Sequence, residues 1–599
     1  MTVRGMFAGV CAMLCAAVPL RVEAYSGVVI FGDSLSDVGN VSNQTLGLAP
    51  GSSYYMGRYS NGPLWIEQLS LAQGLPAPIR SRNTSNGNDW AYAGTKTGSG
   101  STNYYLFFNF PNIGNQISSY LSAHTPAADE LFVVWGGGND FIDGQTNVSV
   151  PVTNIVNHIT ALKNAGAKSF LVPNLPLLGE VPRFVGTANE SVMNSRSSQF
   201  NAQLATALTA LETSLNIKIF QLDVAGFFGD VLGNPGSYGF TNTTGTALVG
   251  STVAPNQDQY VFWDDIHPTR VAHNLLGLTA SDLLDTHHWI TTSSGSWSVS
   301  ANWDPGGTPQ SRWIVDLSNG SGAVRTSVVN ASSSVRRIDV SGPSSLMSLQ
   351  VPSGVTLTST ERIHVAGGGQ IELQGGTVAT PSLQNLGGTI GGFGTIAGDF
   401  QQDDLGKIKV QFPTVPAAGT ASEMQIAGAA MLDGMLGVSL EAGEIALPGE
   451  TREVMTFSSY TGDLDVVNET GFAGLSFTKM FSSTSLSLTA TALPGDANLD
   501  GRVDLRDLVS LATHWFSSAD WLGGDFDQNG FVNSADLGLL AMNWQHGASA
   551  GLALDQALQS VDLPSPSVPE PSGVLVTSVL LGCAAITRRL RCRGPLPSC

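Results

Sequence analysis

Three short motifs hold a serine, an asparagine and an aspartate–histidine pair, and each motif directly follows an apolar run. Ser34 lies in residues 32–35, Asn139 in residues 137–140, and Asp264 and His267 in residues 264–269. A serine hydroxyl is a weak nucleophile at neutral pH unless a base lies beside it. His267 is the candidate base, and Asp264, three residues earlier, is close enough in sequence to reach the imidazole Nδ1 and fix its tautomer. Together these residue types predict an acyl-transfer site.

The apolar runs before the motifs predict strands that carry the chemistry to one edge of a sheet. Ser34 follows the run 28–31, where a strand should pass into a helix. Open α/β sheets bind ligands at the carboxyl ends of their strands, so the Ser34 hydroxyl and backbone N–H are expected at that edge. The Asn139 side-chain amide is the candidate donor to a developing oxyanion, a contribution typically worth ~10²–10³ in turnover.

Each of these residues also has a purely structural interpretation. Serine is a favoured helix N-cap, so Ser34 could cap a helix. His267 could be a surface histidine, and Asn139 with Asp140 could form a turn. The order of the three motifs favours the catalytic interpretation over three independent structural ones.

Longer blocks around these motifs resemble the GDSL, or SGNH, hydrolases of the lipase and esterase type. The blocks are residues 31–40, 57–65 and 262–269, and the subgroup includes plant GDSL lipases and bacterial outer-membrane esterases. The resemblance covers residues 25–288 and implies an α/β/α three-layer hydrolase domain that cleaves carboxylic esters without a catalytic cofactor. It implies a catalytic Ser34, Asp264 and His267, and an oxyanion hole formed by Ser34, Gly94 and Asn139. This chain has Ala93-Gly94 where the family usually has two glycines.

Length and composition indicate the number of domains and argue against one class of ligand. The chain has 599 residues, which predicts three or more domains. Its net charge is −20, from 47 acidic and 27 basic residues, and it contains 69 glycines. This acidic composition argues against nucleic-acid binding, which requires a basic patch.

Both ends of the chain have the pattern of targeting segments. Residues 1–24 predict a secretory signal peptide. Residues 546–567 read as a linker, and residues 568–599 combine Pro-Glu-Pro, an apolar stretch and an arginine cluster, which resembles a PEP-CTERM sorting signal. An ordinary tail anchor is the alternative. The expected location is the cell surface or extracellular matrix of a bacterium, with membrane contact only through these two segments.

The middle of the chain changes character twice. Residues 25–288 alternate strand and helix patterns, which favours a parallel sheet between helices. Residues 289–493 show short β-branched runs separated by Gly, Ser and Asn, which predicts an all-β region. We expect a short β-solenoid followed by a sandwich-like cap, acting as a spacer or glycan-contacting module. Residues 295–303 resemble the opening of autotransporter-type β-helical repeats.

Residues 494–545 contain two loops with the oxygen-ligand spacing of EF-hand calcium sites. An apolar helical segment follows each loop, and the duplication resembles a dockerin type I module, which implies a cohesin partner. A calcium-stabilised fold without a partner is the alternative. The expected calcium ligands are Asp496, Asn498, Asp500, Arg502, Asp504 and Asp507 in the first loop, and Asp525, Asp527, Asn529, Phe531, Asn533 and Asp536 in the second.

The sequence therefore predicts a secreted serine esterase with a structural calcium module, acting on acetylated polysaccharide or lipid esters. The competing interpretation is a surface adhesion or scaffold protein. In that case the β-rich and dockerin-like parts would bind a surface polysaccharide or a cohesin, and the hydrolase domain would be inactive.

Overall fold

A computed structural model describes residues 25–318, 323–342, 347–412, 423–440, 443–549 and 551–563. The chain divides into two compact units, and the boundary along the sequence lies between residues 286 and 287. The predicted signal peptide, the sorting tail and the end of the predicted linker lie outside the described residues. Within the described ranges, no helix has the length and apolar character needed to cross a membrane.

The first unit contains ten strands and eight α-helices among its described residues. The strands are β1 (Gly27–Phe31), β2 (Ser101–Tyr105), β3 (Phe108–Pro111), β4 (Glu130–Val134), β5 (Ser169–Pro173), β6 (Lys218–Leu222), β7 (Asn242–Thr246), β8 (Leu248–Val249), β9 (Thr252–Val253) and β10 (Tyr260–Phe262). The helices are α1 (Asn40–Gln44), α2 (Trp65–Gln73), α3 (Ile113–Ala123), α4 (Gly138–Ile142), α5 (Ser149–Ala165), α6 (Glu190–Leu215), α7 (Val224–Gly233) and α8 (Arg270–Asp285).

Four parallel strands in the order β1-β4-β5-β6 form the central sheet. Successive side chains point to opposite faces, so each strand contributes to two cores. Val28 and Ile30 pack in a core shared with α2 and α8, whereas Val29 and Phe31 pack in one shared with α3 and α5. The predicted parallel sheet between helices is therefore confirmed for this unit.

Strand β10 does not belong to the central sheet. It pairs with β7 in a separate two-stranded sheet, and the motif at residues 264–269 follows it. Ser34 and Asn139 thus follow neighbouring strands of the central sheet, whereas His267 follows a strand of the separate two-stranded sheet.

The second unit is built on one connected set of strands. They are β11 (Thr286–Trp289), β12 (Gly295–Ser296), β13 (Trp303–Asp304), β14 (Ile314–Ser318), β15 (Arg325–Val328), β16 (Ser333–Ser341), β17 (Met347–Pro352), β18 (Thr356–Ala366), β19 (Gly369–Leu386), β20 (Thr389–Gln402), β21 (Lys407–Gln411), β22 (Met424–Leu432), β23 (Met435–Ser439), β24 (Thr451–Gly462), β25 (Asp465–Asn468), β26 (Leu475–Phe481) and β27 (Ser485–Ala492). Helices α9 (Leu505–Thr513), α10 (Ser534–Met542) and α11 (Leu554–Ser560) follow.

Most of these strands stack in parallel as the successive turns of a solenoid. Each turn places an apolar side chain above that of the previous turn, so that Leu349 pairs with Ile371, Ile371 with Ile390, and Ile390 with Ile408. All four side chains are fully buried. The β-rich region predicted from the sequence is therefore confirmed, and its core is a stack of aliphatic ladders.

The two ends of the solenoid are closed differently. Near its start, the rings of Trp289, Trp297, Trp303 and Trp313 pack edge to face in the core. At its far end, β27 pairs antiparallel with both β24 and β26. The sequence predicts a sandwich-like cap at this position, and the structure instead has three strands of the same connected set in antiparallel pairing.

The helical segment after residue 493 shares its core with the solenoid. Leu508 and Leu540 belong to the same buried cluster as the solenoid ladders. The Trp521 indole N–H donates to the carbonyl of Asp496 at 2.8 Å and joins the two helical repeats. Residues 287–563 therefore form one compact unit in the described ranges.

Candidate active site

Ser34 lies in a tight turn directly after β1. The backbone carbonyl of Asp33 accepts the N–H groups of Ser36 and Asp37, which makes one turn of helix before α1 begins. Gly32 permits the turn because a Cβ there would lie 2.7 Å from the Trp135 carbonyl. The cap of α1 is Gly39, so Ser34 does not hold the capping position of that helix.

His267 connects Ser34 to Asp264. Its Nε2 lies 2.8 Å from the Ser34 Oγ, and its Nδ1 lies 2.7 Å from the Asp264 Oδ2. These partners assign the neutral tautomer with the proton on Nδ1 and a free lone pair on Nε2. His267 is only 6% exposed, which differs from the surface-histidine interpretation. The arrangement can remove a proton from the serine hydroxyl and hold the resulting positive charge on the imidazole.

Asp264 is held as a charged acceptor. The backbone N–H groups of Ile266 and His267 donate to its Oδ1, and the Tyr54 hydroxyl donates to its Oδ2 at 2.8 Å. Burial would raise the pKa of Asp264, but the charge and hydrogen bond of His267 and the two backbone N–H donors outweigh it, so the pKa lies below its usual value. For His267, burial would lower the pKa, but the charge and hydrogen bond of Asp264 outweigh it and raise it.

Asn139 lies in α4, immediately after β4, and not in a turn. Its side-chain amide donates to the Thr95 carbonyl at 3.0 Å and to the Asp33 Oδ2 at 3.3 Å. To serve an oxyanion at Ser34, the amide would give up the longer of these contacts. Burial raises the pKa of the Asp33 carboxyl to about 6.

Gly94 lies beside Ser34 and Asn139 on the wall of the same pocket. Its φ is +74°, and a Cβ there would lie 2.3 Å from the Tyr104 ring, so a side chain would be both strained and blocked. The preceding Ala93 donates its N–H to the Asp37 Oδ2 at 3.1 Å. Because Asp37 also accepts N–H groups at the start of α1, it ties the Gly94 turn to the Ser34 loop.

Two tyrosines at the site were not predicted as functional residues from the sequence. Tyr54 donates to Asp264 although 210 positions separate them. The Tyr59 ring lies 5.1 Å from the His267 imidazole, centroid to centroid. Tyr54 lies three residues before the block at residues 57–65 and Tyr59 lies inside that block, and this position was the only available indication that they approach the histidine.

The predicted calcium ligands lie in two similar loops of the second unit. Asp496, Asp507, Asp525 and Asp536 are buried. In the second loop, carboxylate oxygens of Asp525, Asp527 and Asp536 lie within 4.8 Å of one another.

The remaining predicted ligands mostly bond to the backbone of their own loops. Asp504 and Asn533 cap α9 and α10 with their side chains, and Asn498, Asp500 and Asn529 each accept a backbone N–H two residues later. The carbonyl of Phe531 accepts from the Asn533 amide at 3.1 Å, and the Arg502 N–H donates to Asp500.

Comparison with known proteins gives a consistent family for the first unit. Residues 28–278 match the model of the GDSL-like lipase/acylhydrolase family. A phosphatidylcholine-sterol acyltransferase of Aeromonas hydrophila is 26% identical over 316 residues, covering 44% of this chain and 92% of that protein. A thermolabile hemolysin of Vibrio parahaemolyticus is 28% identical over 279 residues, covering 42% of this chain and 62% of that protein.

A plant relative and a solved structure cover similar shares of the chain. A GDSL esterase/lipase of Arabidopsis thaliana is 27% identical over 309 residues, covering 42% of this chain and 80% of that protein. The carbohydrate acetylesterase Est24 of Sinorhizobium meliloti matches 43% of this chain and 97% of its own, with 16% identity and a TM-score of 0.26. Residues 28–278 thus form a GDSL-like lipase/acylhydrolase domain, and the protein is a carboxylic ester hydrolase.

Proposed function

We propose that the protein hydrolyses esters through an acyl-enzyme formed on Ser34. The Ser34 Oγ attacks the ester carbonyl while His267 Nε2 takes its proton. Collapse of the tetrahedral intermediate expels the alkoxide, which receives that proton from His267. A water molecule, deprotonated by the same nitrogen, then attacks the acyl-enzyme and releases the carboxylic acid and free Ser34.

Asp264 and the oxyanion donors complete this proposal. Asp264 keeps the imidazole in the reactive tautomer and stabilises the imidazolium. The backbone N–H groups of Ser34 and Gly94 and the Asn139 amide stabilise the oxyanion. The observation that carries the proposal is the unbroken hydrogen-bond line from Ser34 Oγ through His267 to Asp264, with distances of 2.8 and 2.7 Å.

Hydrolysis of p-nitrophenyl acetate by the full chain tests this mechanism. Ser34→Ala should reduce kcat by at least about 10³-fold, because the acyl-enzyme can no longer form. Ser122→Ala is the matched control, since Ser122 is an exposed serine on α3, and it should leave the rate unchanged. A Ser34→Ala protein that retained most of its activity would overturn the proposed mechanism.

We also propose that the two loops of the second unit bind structural Ca²⁺. Position 6 of each loop is a glycine with positive φ, +85° at Gly501 and +87° at Gly530, as the sharp turn of an EF-hand loop requires. Position 12 is Asp507 or Asp536, each buried and aimed back into its loop, where its Oδ1 accepts two backbone N–H groups. Oxygen donors of this kind suit calcium, and the ion would fix the loops from which α9 and α10 start.

The location and partners belong to the same proposal. Export through residues 1–24 and sorting through residues 568–599 would bring the enzyme to the cell surface. There its second unit would contact a surface polysaccharide or a cohesin, and the substrate would be an acetylated polysaccharide or a lipid ester. The alternative of an adhesion protein with an inactive hydrolase domain is less well supported, because Ser34, His267 and Asp264 are intact and in hydrogen-bond contact.

A further inference from the structure

Ser34 lies where two pockets of opposite character meet. Both pockets are lined by Ser34, Asn139 and His267, so both open onto the reacting atoms. An ester bound at Ser34 has two parts, an acyl group and an alcohol, and each must leave the reacting carbon in its own direction. The polarity of each pocket therefore indicates whether it binds the acyl group or the alcohol.

The first pocket is lined mainly by aliphatic and aromatic side chains. Leu178 follows β5, Phe228 lies on α7, and Leu276 lies on α8. All three are at most 5% exposed, so the space between them is enclosed by the packed interior of the unit. The same lining includes Ser34 and His267, so the pocket extends from the reacting atoms towards the apolar core.

The second pocket is polar and rich in tyrosine. Tyr54 and Tyr104 line it together with Asn103 of the β2–β3 hairpin. Arg183 and Asp265, which form an ion pair at 2.8 Å, also belong to its wall. Gly94, one of the proposed oxyanion donors, lies on this side. Such a wall offers hydrogen bonds and flat rings to a hydroxyl-bearing group, and polar atoms make up far more of it than of the first pocket.

We infer that the apolar pocket binds the acyl chain and that the polar pocket binds the alcohol. The preferred substrate is then an ester of a medium- or long-chain fatty acid with a polar alcohol, and not an acetyl ester. This inference rests on the proposed function of Ser34. An acetyl group would leave the pocket empty, whereas each methylene buried there should raise kcat/KM about fourfold until the pocket is full.

Hydrolysis of p-nitrophenyl acetate, butyrate, octanoate and decanoate by the full chain tests this assignment. We expect kcat/KM to rise by about 100-fold or more between acetate and the best longer ester, as burial of three to four methylenes requires. Ala225 lies on α7 and lines the apolar pocket. Ala225→Leu should therefore lower the ratio of decanoate to acetate activity by about tenfold, because its added carbons displace about one to two methylenes of the acyl chain.

Ala210→Leu is the matched control, because Ala210 is exposed on α6 and lines neither pocket beside Ser34. It should leave the activity on both esters unchanged. Acetate as the best substrate, or an unchanged decanoate-to-acetate ratio in Ala225→Leu, would overturn the assignment of the apolar pocket.

A binding measurement separates this inference from the proposed function. Decanoate should bind Ser34→Ala, as followed by isothermal titration calorimetry, and Ala225→Leu in that background should weaken the binding about tenfold. Loss of all hydrolysis in the wild type with decanoate binding intact would reject the function of Ser34 and keep the pocket assignment. Hydrolysis of short esters without decanoate binding would reject the pocket assignment and keep the function.

Discussion

The two carboxylates nearest the catalytic pair have opposite environments. Asp264 accepts two backbone N–H groups and the Tyr54 hydroxyl, and its pKa lies below the usual value despite burial. Asp33 is buried with one backbone donor from Leu35 and a long contact from Asn139, and burial raises its pKa to about 6. Asp264 is therefore the permanent charge that supports His267, whereas Asp33 loses its charge in mildly acidic solution.

The raised pKa of His267 sets the expected pH dependence. The base must be neutral, so kcat/KM should rise with pH as His267 loses its proton, with a midpoint above the ordinary value of 6.5. Asp264→Asn removes the charge that raises this pKa, so the acidic limb should move to lower pH while kcat falls by about 10⁴-fold. Rate profiles from pH 5 to 9 with p-nitrophenyl acetate measure both effects.

Asp129→Asn is the control for this profile, because Asp129 is exposed and makes no side-chain contact with the site. An acidic limb that stayed in place in Asp264→Asn would show that His267 is not the group being titrated.

Removal of the Asn139 amide should affect the transition state more than substrate binding. Asn139→Ala is expected to lower kcat by ~10²–10³ with little change in KM, because an oxyanion donor acts mainly after the carbonyl is attacked. Steady-state kinetics give the two constants separately, and Asn256→Ala, at an exposed asparagine, is the control. A change confined to KM would assign Asn139 to substrate binding instead.

The sequence could predict the catalytic residues that lie in short contiguous motifs. The positions of Ser34, Asp264 and His267 could be proposed because the motif spacing and the chemistry agree. The Tyr54 hydrogen bond to Asp264 could not, because it joins chain positions 210 apart and no periodic pattern links them. The contact of Asn139 with Asp33 was likewise hidden, since both belong to separate loops that meet only in the folded unit.

At the scale of elements, the central sheet could be predicted from the sequence. The separate two-stranded sheet of β7 and β10, which precedes His267, could not. β1 and β4 are apolar runs followed by small polar motifs, and adjacent parallel strands bring those motifs to one edge. β10 has the same apolar appearance but pairs with β7 outside the central sheet. Apolar content predicts a strand, and only the folded chain determines which sheet it joins.

In the second unit, too, the apolar pattern predicted the type of element but not what it packs against. The apolar alternation of its strands predicted a β fold, and the ladder from Leu349 through Ile371 to Ile390 follows that alternation. The helical segment was predicted as a separate module, although in the structure its Leu508 and Leu540 share the core of the solenoid. Apolar positions in a sequence show what is buried and not which element covers them.

Calcium should stabilise the two loops of the helical segment. At a calcium concentration 100-fold above Kd, binding to one site adds ~2.7 kcal/mol, which raises the melting temperature of a unit of this size by about 5–10 °C. The double variant Asp496→Asn with Asp525→Asn should lose this shift. Asp555→Asn, at an exposed position on α11, should keep it. Equal shifts in the double variant and the wild type would mean that calcium binds elsewhere.

The molecule as a whole consists of two units with separate hydrophobic cores. Among the described residues, the buried clusters of the first unit end at Leu284, and that of the second begins at Trp289. Differential scanning calorimetry of the full chain should therefore show two transitions. Chelation of calcium should lower the temperature of only the transition of the second unit. Esterase activity should be lost in the transition of the first unit. One cooperative transition that chelation shifts as a whole would contradict independent unfolding of the units.

Covalent labelling is the direct test of whether Ser34 is the nucleophile of this hydrolase. The full chain is treated with a fluorophosphonate probe, digested and analysed by mass spectrometry. We expect one adduct, on Ser34, formed at the rate at which esterase activity disappears, and no adduct in Ser34→Ala. An adduct on another serine, or an unlabelled Ser34 in an inactivated enzyme, would contradict this role of Ser34.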